Sequence, residues 1–156
     1  MTGVMLLQAS DCAAMAALHA SAFPQDEAWS LSAFKTLLVL PSVRAFGIGD
    51  AAGLDALCIV QVAAGDGEIL TLATAPSVRR KGYASALLKA AGQILGQLGT
   101  GRFLLEVAAD NHVARAFYLT LGFKTDGRRK NYYKRLDGER IDAILLSRSI
   151  AGQTDP

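Results

Sequence analysis

The sequence predicts an α/β (α+β) domain in which helices flank a sheet, and three observations support this. A strand-like run at 68–74 is followed by a periodic helix at 84–98 and then by an apolar strand at 102–108. Two further strand-length segments, 44–49 and 54–62, are separated by a short turn and predict a hairpin. Of the 156 residues, 51% are hydrophobic, so the chain can bury one full core.

The part of the chain before this hairpin is predicted to hold a strand at 4–8 and two helices. Ser10 or Asp11 is expected to cap the first helix, and Ser30 the second, because these side chains can accept hydrogen bonds from free helix N–H groups. The expected buried stripes are Ala14, Leu18 and Ala22 in the first helix and Phe34, Leu37 and Leu38 in the second.

The helix predicted at 84–98 is the most regular element. Its apolar positions have the spacing of one buried helix face, and Gly99 is placed to end it. These positions are Ala84, Leu87, Leu88, Ala91, Ile94, Leu95 and Leu98.

A basic turn, Arg79-Arg80-Lys81-Gly82, precedes this helix and suits an anion such as a phosphate. Free N–H groups and the dipole at a helix N-terminus favour negative charge, and glycine lets a ligand approach the backbone. The turn matches neither G-x-x-x-x-G-K-[ST] nor G-x-G-x-x-G. The alternative is a solvated basic turn that only begins a helix.

The second half of the chain is predicted to continue with a helix and two strands. Glu106 interrupts the apolar strand, where a carboxylate is costly unless it is paired or used. Asp110 is expected to cap a helix at 113–121. Strands at 123–128 and 139–149 are then joined by a basic, tyrosine-rich loop.

Composition excludes several classes of protein. A formal charge of +2 argues against a general nucleic-acid coat, and direct binding of nucleic acid is not expected. Cys12 and Cys58 form neither a disulfide framework nor a metal site, which favours the reducing cytoplasm and no metal. No basic leader precedes Lys35 and no apolar run is long enough for a bilayer, so neither secretion nor a membrane is expected. One domain over 1–150 and a frayed tail at 151–156 are predicted.

Three motifs together resemble the GNAT acetyltransferases, and the resemblance extends over residues 6–150. The first is Arg79-x-x-Gly82-x-Ala84, which is similar to the family's R/Q-x-x-G-x-G/A signature for the pyrophosphate of acetyl-CoA. The second runs from Glu106 through Asn111 to Tyr118-x-x-Leu121-Gly122-Phe123. The third, Asn131-Tyr132-Tyr133 with Asp142-Ala143, is similar to protein N-terminal acetylases, above all the bacterial ribosomal-protein-alanine acetyltransferases (RimI type).

This resemblance implies a mixed, largely antiparallel sheet that is split near its central strands to admit acetyl-CoA. It also implies three sets of site residues. Glu106 and Tyr118 match catalytic positions, and Tyr132 and Tyr133 match a clamp for the substrate. The implied cofactor contacts are Leu72, Ala73, Thr74, Arg79, Arg80, Lys81, Gly82, Tyr83, Ala84, Ser85 and Asn111.

The implied chemistry suits an α-amino group, whose pKa of about 7.7–8.0 is well below the 10.4 of lysine. Glu106 would take the proton of the attacking amine and Tyr118 would protonate the departing thiolate. Each residue also has a structural alternative: Glu106 as half of an ion pair, Tyr118 as a core aromatic residue, and Asn111 as a helix cap.

The function expected from the resemblance is acetylation of a protein N-terminus, of a ribosomal protein that begins with alanine. Two departures bear on the substrate: an insertion, Gln25-Asp26-Glu27-Ala28, and Ile141 in place of the family's glutamate. The basic cluster at 128–135 fits either a solvated hairpin or an acidic or ribosomal partner. A small-molecule amine or lysine acetyltransferase and a non-catalytic acetyl-CoA binder are the alternatives, and a monomer is expected.

Overall fold

The computed structural model describes residues 3–50 and 52–150, so the predicted tail at 151–156 lies outside the described residues. Within them, the strands are β1 (Met5–Leu6), β2 (Val43–Asp50), β3 (Gly53–Ala63), β4 (Asp66–Thr74), β5 (Arg102–Ala108), β6 (Lys124–Lys134) and β7 (Arg140–Ser149). These seven strands form one sheet in the order β1-β2-β3-β4-β5-β7-β6. All neighbouring pairs are antiparallel except β4 and β5, which confirms the mixed, largely antiparallel sheet.

Four α-helices among the described residues cover the two faces of the sheet: α1 (Cys12–Ala22), α2 (Leu31–Leu38), α3 (Tyr83–Gln97) and α4 (His112–Thr120). Helices α1 and α2 bury Met15, Leu18 and Phe34 against one face. Helices α3 and α4 lie on the other face, where Leu87 and Leu95 pack on a larger cluster. The three layers agree with the predicted α/β class.

Two of the three predicted helix caps need correction. Ser30 does cap α2, since its Oγ accepts the N–H of Ala33 at 3.1 Å. Asp11 occupies the cap position of α1, but its carboxylate accepts the N–H of Gln8 instead of a helix N–H. The prediction of Asp110 as the cap of α4 is wrong, because the Oδ1 of Asn111 accepts the N–H of Ala114 at 3.1 Å.

The buried faces of α1 and α3 also differ from the prediction. In α1, Cys12, Met15, Leu18 and His19 are the buried residues, so only Leu18 of the predicted stripe is fully buried. In α3, Ile94 and Leu98 are 36% and 66% exposed, although their spacing predicted burial. The helix turns these two positions away from the sheet. The remaining predicted residues of α3 are buried, and Gly92 is buried with them.

The predicted loop after residue 128 is wrong, because β6 continues to Lys134 and the turn to β7 lies beyond Arg135. Its pairing with β7 shifts register between Arg129 and Tyr133, so the strand contains a bulge there. Tyr132 and Tyr133 therefore lie on a strand instead of a free loop.

The parallel strands β4 and β5 pair over only three positions, Asp66 with Arg102, Gly67 with Phe103 and Glu68 with Leu104. Beyond Glu68 the two strands no longer pair, although β4 stays paired with β3 and β5 with β7. The sheet is thus open along facing edges of its two central strands. This opening is the split that the resemblance implies.

Candidate active site

The predicted cofactor strand lies on the open edge of β4. Leu72, Ala73 and Thr74 follow the last residue that pairs with β5 and pair on their other side with β3. Ala73 is buried, whereas Leu72 and Thr74 are half-buried. An extended ligand with amide groups can hydrogen-bond to such an open strand edge, so these residues fit the pantetheine arm of acetyl-CoA.

The basic turn before α3 has a backbone shape suited to an anion. Gly82 is the N-cap residue with φ +80°, and Arg80 has φ +65°. No side chain caps this helix, so its first N–H groups keep their hydrogen-bonding capacity. A Cβ at Gly82 would meet no atom within 4 Å, so the space in front of the turn is open. This geometry fits a pyrophosphate group.

The residues predicted around this turn differ in exposure. Arg80, Lys81 and Ser85 are exposed, Tyr83 is half-buried and Ala84 is buried. The exposed side chain of Arg79 donates from Nη2 to the carbonyl of Ala22 at 3.2 Å. Arg79 therefore connects the turn to the end of α1 in addition to supplying charge.

Glu106 projects from the face of the sheet opposite α3 and α4. Its neighbours Leu105 and Val107 belong to the core under those helices, and side chains alternate between faces along a strand. The side chain of Glu106 is 20% exposed, and its Oε1 lies 3.4 Å from the Nε of Arg129. The ion pair considered as an alternative is present, and it leaves the carboxylate in partial contact with solvent.

Tyr118 packs on the opposite side of the sheet, in the core under α3 and α4, between the rings of Phe117 and Phe123. Burial, and to a smaller extent the nearby Cys58, raise the pKa of its hydroxyl, which is therefore protonated at neutral pH. Within residues 3–50 and 52–150 the hydroxyl makes no hydrogen bond. It is thus a proton donor open to a ligand.

Tyr132 and Tyr133 lie beside Glu106 and Arg129. The guanidinium carbon of Arg129 is 5.3 Å from the ring centre of Tyr132, and the two tyrosine rings meet edge to face at 5.1 Å. Burial, followed by the charges of Glu106 and Glu68, raises the pKa of Tyr133. The structure therefore brings together the two tyrosines and the carboxylate that were predicted from separate motifs.

Two features of this face were not identified from the sequence. Arg129 was seen only as part of a basic cluster, and its pairing with Glu106 depends on the register of β6 against β7. Glu68 gave no signal, because it lies in an ordinary strand, and only the pairing of β4 with β5 places it on the same face as Glu106. Asn111 caps α4 with its Oδ1, which is the structural role considered for it, and the contact with cofactor stays a prediction.

A surface groove of about 430 Å³ does not include Glu106 or Tyr118. It lies around Asp110, Arg128, Arg140 and Asp142.

Over residues 3–50 and 52–150, no group of three or more His, Cys, Asp or Glu side chains is arranged to hold a metal ion. In the same part of the chain, no helix has the length and apolar character needed to cross a bilayer.

Comparison with known proteins shows which family has a sequence similar to this chain. Residues 21–123 match the model of the Acetyltransferase (GNAT) family. The [Ribosomal protein bS18]-alanine N-acetyltransferase of Escherichia coli K12 is 36% identical over 96 residues, which are 62% of this chain. The matched segment spans 64% of the length of that relative.

Solved structures of acetyltransferases are similar to this chain over a larger part of its length. The crystal structure of the ribosomal-protein-S18-alanine N-acetyltransferase from Escherichia coli has a TM-score of 0.81 and 29% identity, covering 100% of this chain and 99% of that one. A spermidine N-acetyltransferase mutant from Vibrio cholerae shares the fold, with a TM-score of 0.73, 19% identity and coverage of 97% and 95%. The chain therefore belongs to the GNAT family of acetyltransferases.

Proposed function

We propose that this protein transfers the acetyl group of acetyl-CoA to the N-terminal α-amino group of a protein, with a ribosomal protein that begins with alanine as the first candidate substrate. The observation that carries the proposal is the position of Glu106, a partly exposed carboxylate at the point where β5 leaves β4. The likeness to the Escherichia coli enzyme, whose name states that it acetylates an alanine of ribosomal protein bS18, supports the substrate class.

The binding step uses the open edge of β4 and the turn before α3. Backbone groups of Leu72, Ala73 and Thr74 would pair with the amides of the cofactor, while the N–H groups after Gly82 and the side chains of Arg80 and Lys81 would face its pyrophosphate. Asn111 and the remaining predicted turn residues would complete this contact. Acetyl-CoA, when bound, supplies an acetyl thioester that an amine can attack.

The proton transfers are proposed for two residues that lie on opposite faces of the sheet. Glu106 accepts a proton from the substrate ammonium, directly or through a water, so that a neutral amine is available. Tyr118 donates its phenolic proton to the departing sulfur, whose thiol has an ordinary pKa of about 8.5, and the second proton that the amine nitrogen loses after its attack restores Tyr118 through water. The raised pKa of Tyr118 suits this role, because the hydroxyl stays protonated until the transfer.

The α-amine is favoured over a lysine side chain for two reasons. An α-amino group, with a pKa of about 7.7–8.0, is partly neutral at physiological pH, whereas lysine at about 10.4 is almost fully protonated. Tyr132 and Tyr133 flank the carboxylate with half-exposed aromatic surface and hydroxyl groups, which suit the backbone and small first side chain of an extended peptide.

The second candidate is acetylation of a small polyamine or of lysine. One observation favours it: Glu68 pairs with Leu104, two residues before Glu106, so the two carboxylates lie on one face of the sheet and suit a ligand with several positive charges. A non-catalytic acetyl-CoA binder is the third. The proposed active unit is a monomer with one domain over residues 1–150, acting in the cytoplasm.

A panel of substrates tests these candidates. Purified protein and labelled acetyl-CoA would be combined, at about pH 7.5, with peptides that differ only at residue one, with N-terminally blocked peptides containing lysine, and with spermidine. We expect peptides that start with alanine or serine to be acetylated fastest. Preference for spermidine or internal lysine would overturn the N-terminal proposal, and cofactor binding without turnover of any amine would support the non-catalytic role.

A further inference from the structure

Strand β6 contains a bulge at residues 130–132, and its backbone has an uncommon conformation. Arg129 lies opposite Ala143 and Tyr133 lies opposite Ile141, so four steps along β6 correspond to two steps along β7. At the centre of the bulge, Asn131 has φ +55°, in the left-handed region, where asparagine is enriched among the residues other than glycine. Contacts to its backbone groups add to the stability of this conformation.

Two side chains of β7 provide that support by binding both backbone groups of Asn131. The Oδ1 of Asp142 accepts the Asn131 N–H at 2.9 Å, and the Nη1 of Arg140 donates to the Asn131 carbonyl at 3.3 Å. The other oxygen of Asp142 accepts from the Nη1 of Arg128 at 2.8 Å. The Asn131 and Arg128 contacts, in that order, lower the pKa of Asp142, so the carboxylate is charged at neutral pH.

The bulge determines where Tyr133 lies on the face of the sheet that carries Glu106. Tyr133 and Arg129 are four residues apart and face the same side as Ala143, which is also the side of Glu106. If the bulge were removed by regular pairing, Tyr133 would move two positions along β7, about 6–7 Å at the usual strand rise. Asn131 would then take its place opposite Ile141.

We propose that Asp142 is a positioning residue for substrate recognition: through Asn131 it fixes the 130–132 bulge, and so sets the place of Tyr133 on the face of the sheet that carries Glu106. Asp142 and Arg140 act from the face opposite Glu106, so neither touches the acceptor site. Ile141, between them, faces the site but carries no polar group to orient a peptide. This assignment rests on the proposed function, because it gives Tyr133 the role of a substrate contact.

The experiment compares Asp142→Ala with Asp142→Asn, Arg140→Ala and Asp66→Ala. We expect Asp142→Ala to lower kcat/KM for an alanine-starting peptide by about 10- to 100-fold, the scale of a small misplacement of a binding group, mainly through a higher KM. Asp142→Asn keeps an acceptor for the Asn131 N–H and should recover part of the loss, while Arg140→Ala should have a smaller effect. The change in melting temperature on adding CoA should be unaltered in all four variants.

Asp66→Ala is the matched control, because Asp66 is also a strand aspartate in an ion pair, with Arg102 at 2.9 Å, and lies away from the bulge. It should keep the parent KM. If Asp142→Ala does not fold, Asp142→Asn and Arg140→Ala carry the same comparison. An unchanged peptide KM in every folded Asp142 or Arg140 variant would overturn the proposal.

A second measurement does not depend on activity. Hydrogen exchange of the Asn131 amide, followed by NMR, should be faster in Asp142→Ala than in the parent, while amides of β5 remain protected. Unchanged exchange at Asn131 would overturn the role of Asp142 in fixing the bulge. If the parent acetylates no α-amine, the proposed function fails, and this exchange result still decides whether Asp142 fixes the strand.

Discussion

The carboxylate of Glu106 lies 3.4 Å from the guanidinium of Arg129, across the two strand pairings that separate β5 from β6. Arg129 in turn approaches the ring of Tyr132 at 5.3 Å. Both charged side chains are partly exposed, so the ion pair itself adds little to stability. Its more important consequence is that Arg129 keeps the carboxylate oriented on the open face of the sheet.

Replacing Glu106 with glutamine separates the catalytic role from the ion-pair role. Glutamine has almost the same shape but cannot accept the proton of the amine, so we expect kcat to fall by roughly 10²–10³-fold, within the usual range for a general base. The affinity for acetyl-CoA should change little. Steady-state kinetics between about pH 6 and 9 and CoA titration measure these two effects.

Arg129→Ala is the control for that experiment. It removes the ion pair and leaves the carboxylate, so it should lower kcat far less than Glu106→Gln. Equal losses in the two variants, or an unchanged kcat in Glu106→Gln, would mean that Glu106 serves only as the partner of Arg129.

Tyr118→Phe tests the proton donor. The hydroxyl makes no hydrogen bond within the described part of the chain, so its removal should change the free energy of unfolding by less than about 0.5 kcal/mol. If the hydroxyl protonates the leaving sulfur, kcat should fall by about 10²-fold, as for other general acids. Denaturant unfolding and kinetics provide the two readouts. Unchanged kcat would instead indicate that Tyr118 serves only as a core aromatic residue, whose ring contacts phenylalanine retains.

Local sequence rules predicted the elements that depend on neighbouring residues. The helix α3, the basic turn ending at Gly82 and the Ser30 cap follow from spacing and capping chemistry and are confirmed, although Ile94 and Leu98 of the predicted stripe are exposed. The prediction of Asp110 as the cap of α4 missed by one residue. Both Asp110 and Asn111 can cap a helix. In the structure Asp110 instead forms an ion pair with Arg135, which is distant in the sequence.

Features that depend on strand register could not be predicted in this way. The pair formed by Glu106 and Arg129 and the bulge at Asn131 exist because β5, β7 and β6 pair in one particular register. The sequence around Tyr132 is polar and basic, which indicated a loop, whereas pairing with β7 makes it a strand. The roles given to Leu72, Ala73 and Thr74 came from family resemblance, because three such side chains carry no chemical signal.

Gly82→Glu tests the pyrophosphate site. The substitution adds a negative charge in front of the first N–H groups of α3, at a position with φ +80°. Acetyl-CoA at about 100 times its Kd stabilises a protein by about 2.7 kcal/mol, which appears as a higher melting temperature. We expect the variant to lose this shift.

Gly99→Glu is the matched control for the backbone strain. Gly99 lies just beyond the other end of α3 with φ +91°, and a Cβ there also meets no atom within 4 Å. This variant should lose a similar amount of stability and keep the CoA-induced shift. A normal shift in Gly82→Glu would mean that the phosphates bind elsewhere.

His19 connects Trp29, which follows the segment Gln25–Ala28, to strand β4, whose end is predicted to bind the cofactor. Its Nδ1 accepts the N–H of Trp29 at 2.9 Å, so the neutral ring carries its proton on Nε2 and donates it to the Oγ1 of Thr71 at 2.9 Å. Burial lowers the pKa of His19 to about 4. The unfolded chain, with an ordinary pKa of about 6.5, therefore binds this proton first as the pH falls.

The free energy of unfolding should accordingly decrease between about pH 6.5 and 4, by at most about 3 kcal/mol from this residue. Denaturant unfolding at several pH values measures the decrease. His19→Gln should be less stable at neutral pH, because one of the two hydrogen bonds is lost, and should show a smaller decrease in acid. His112→Gln, which changes the exposed histidine at the start of α4, should keep the full decrease. Parallel pH profiles for the parent and His19→Gln would show that His19 is not the group whose protonation opposes folding.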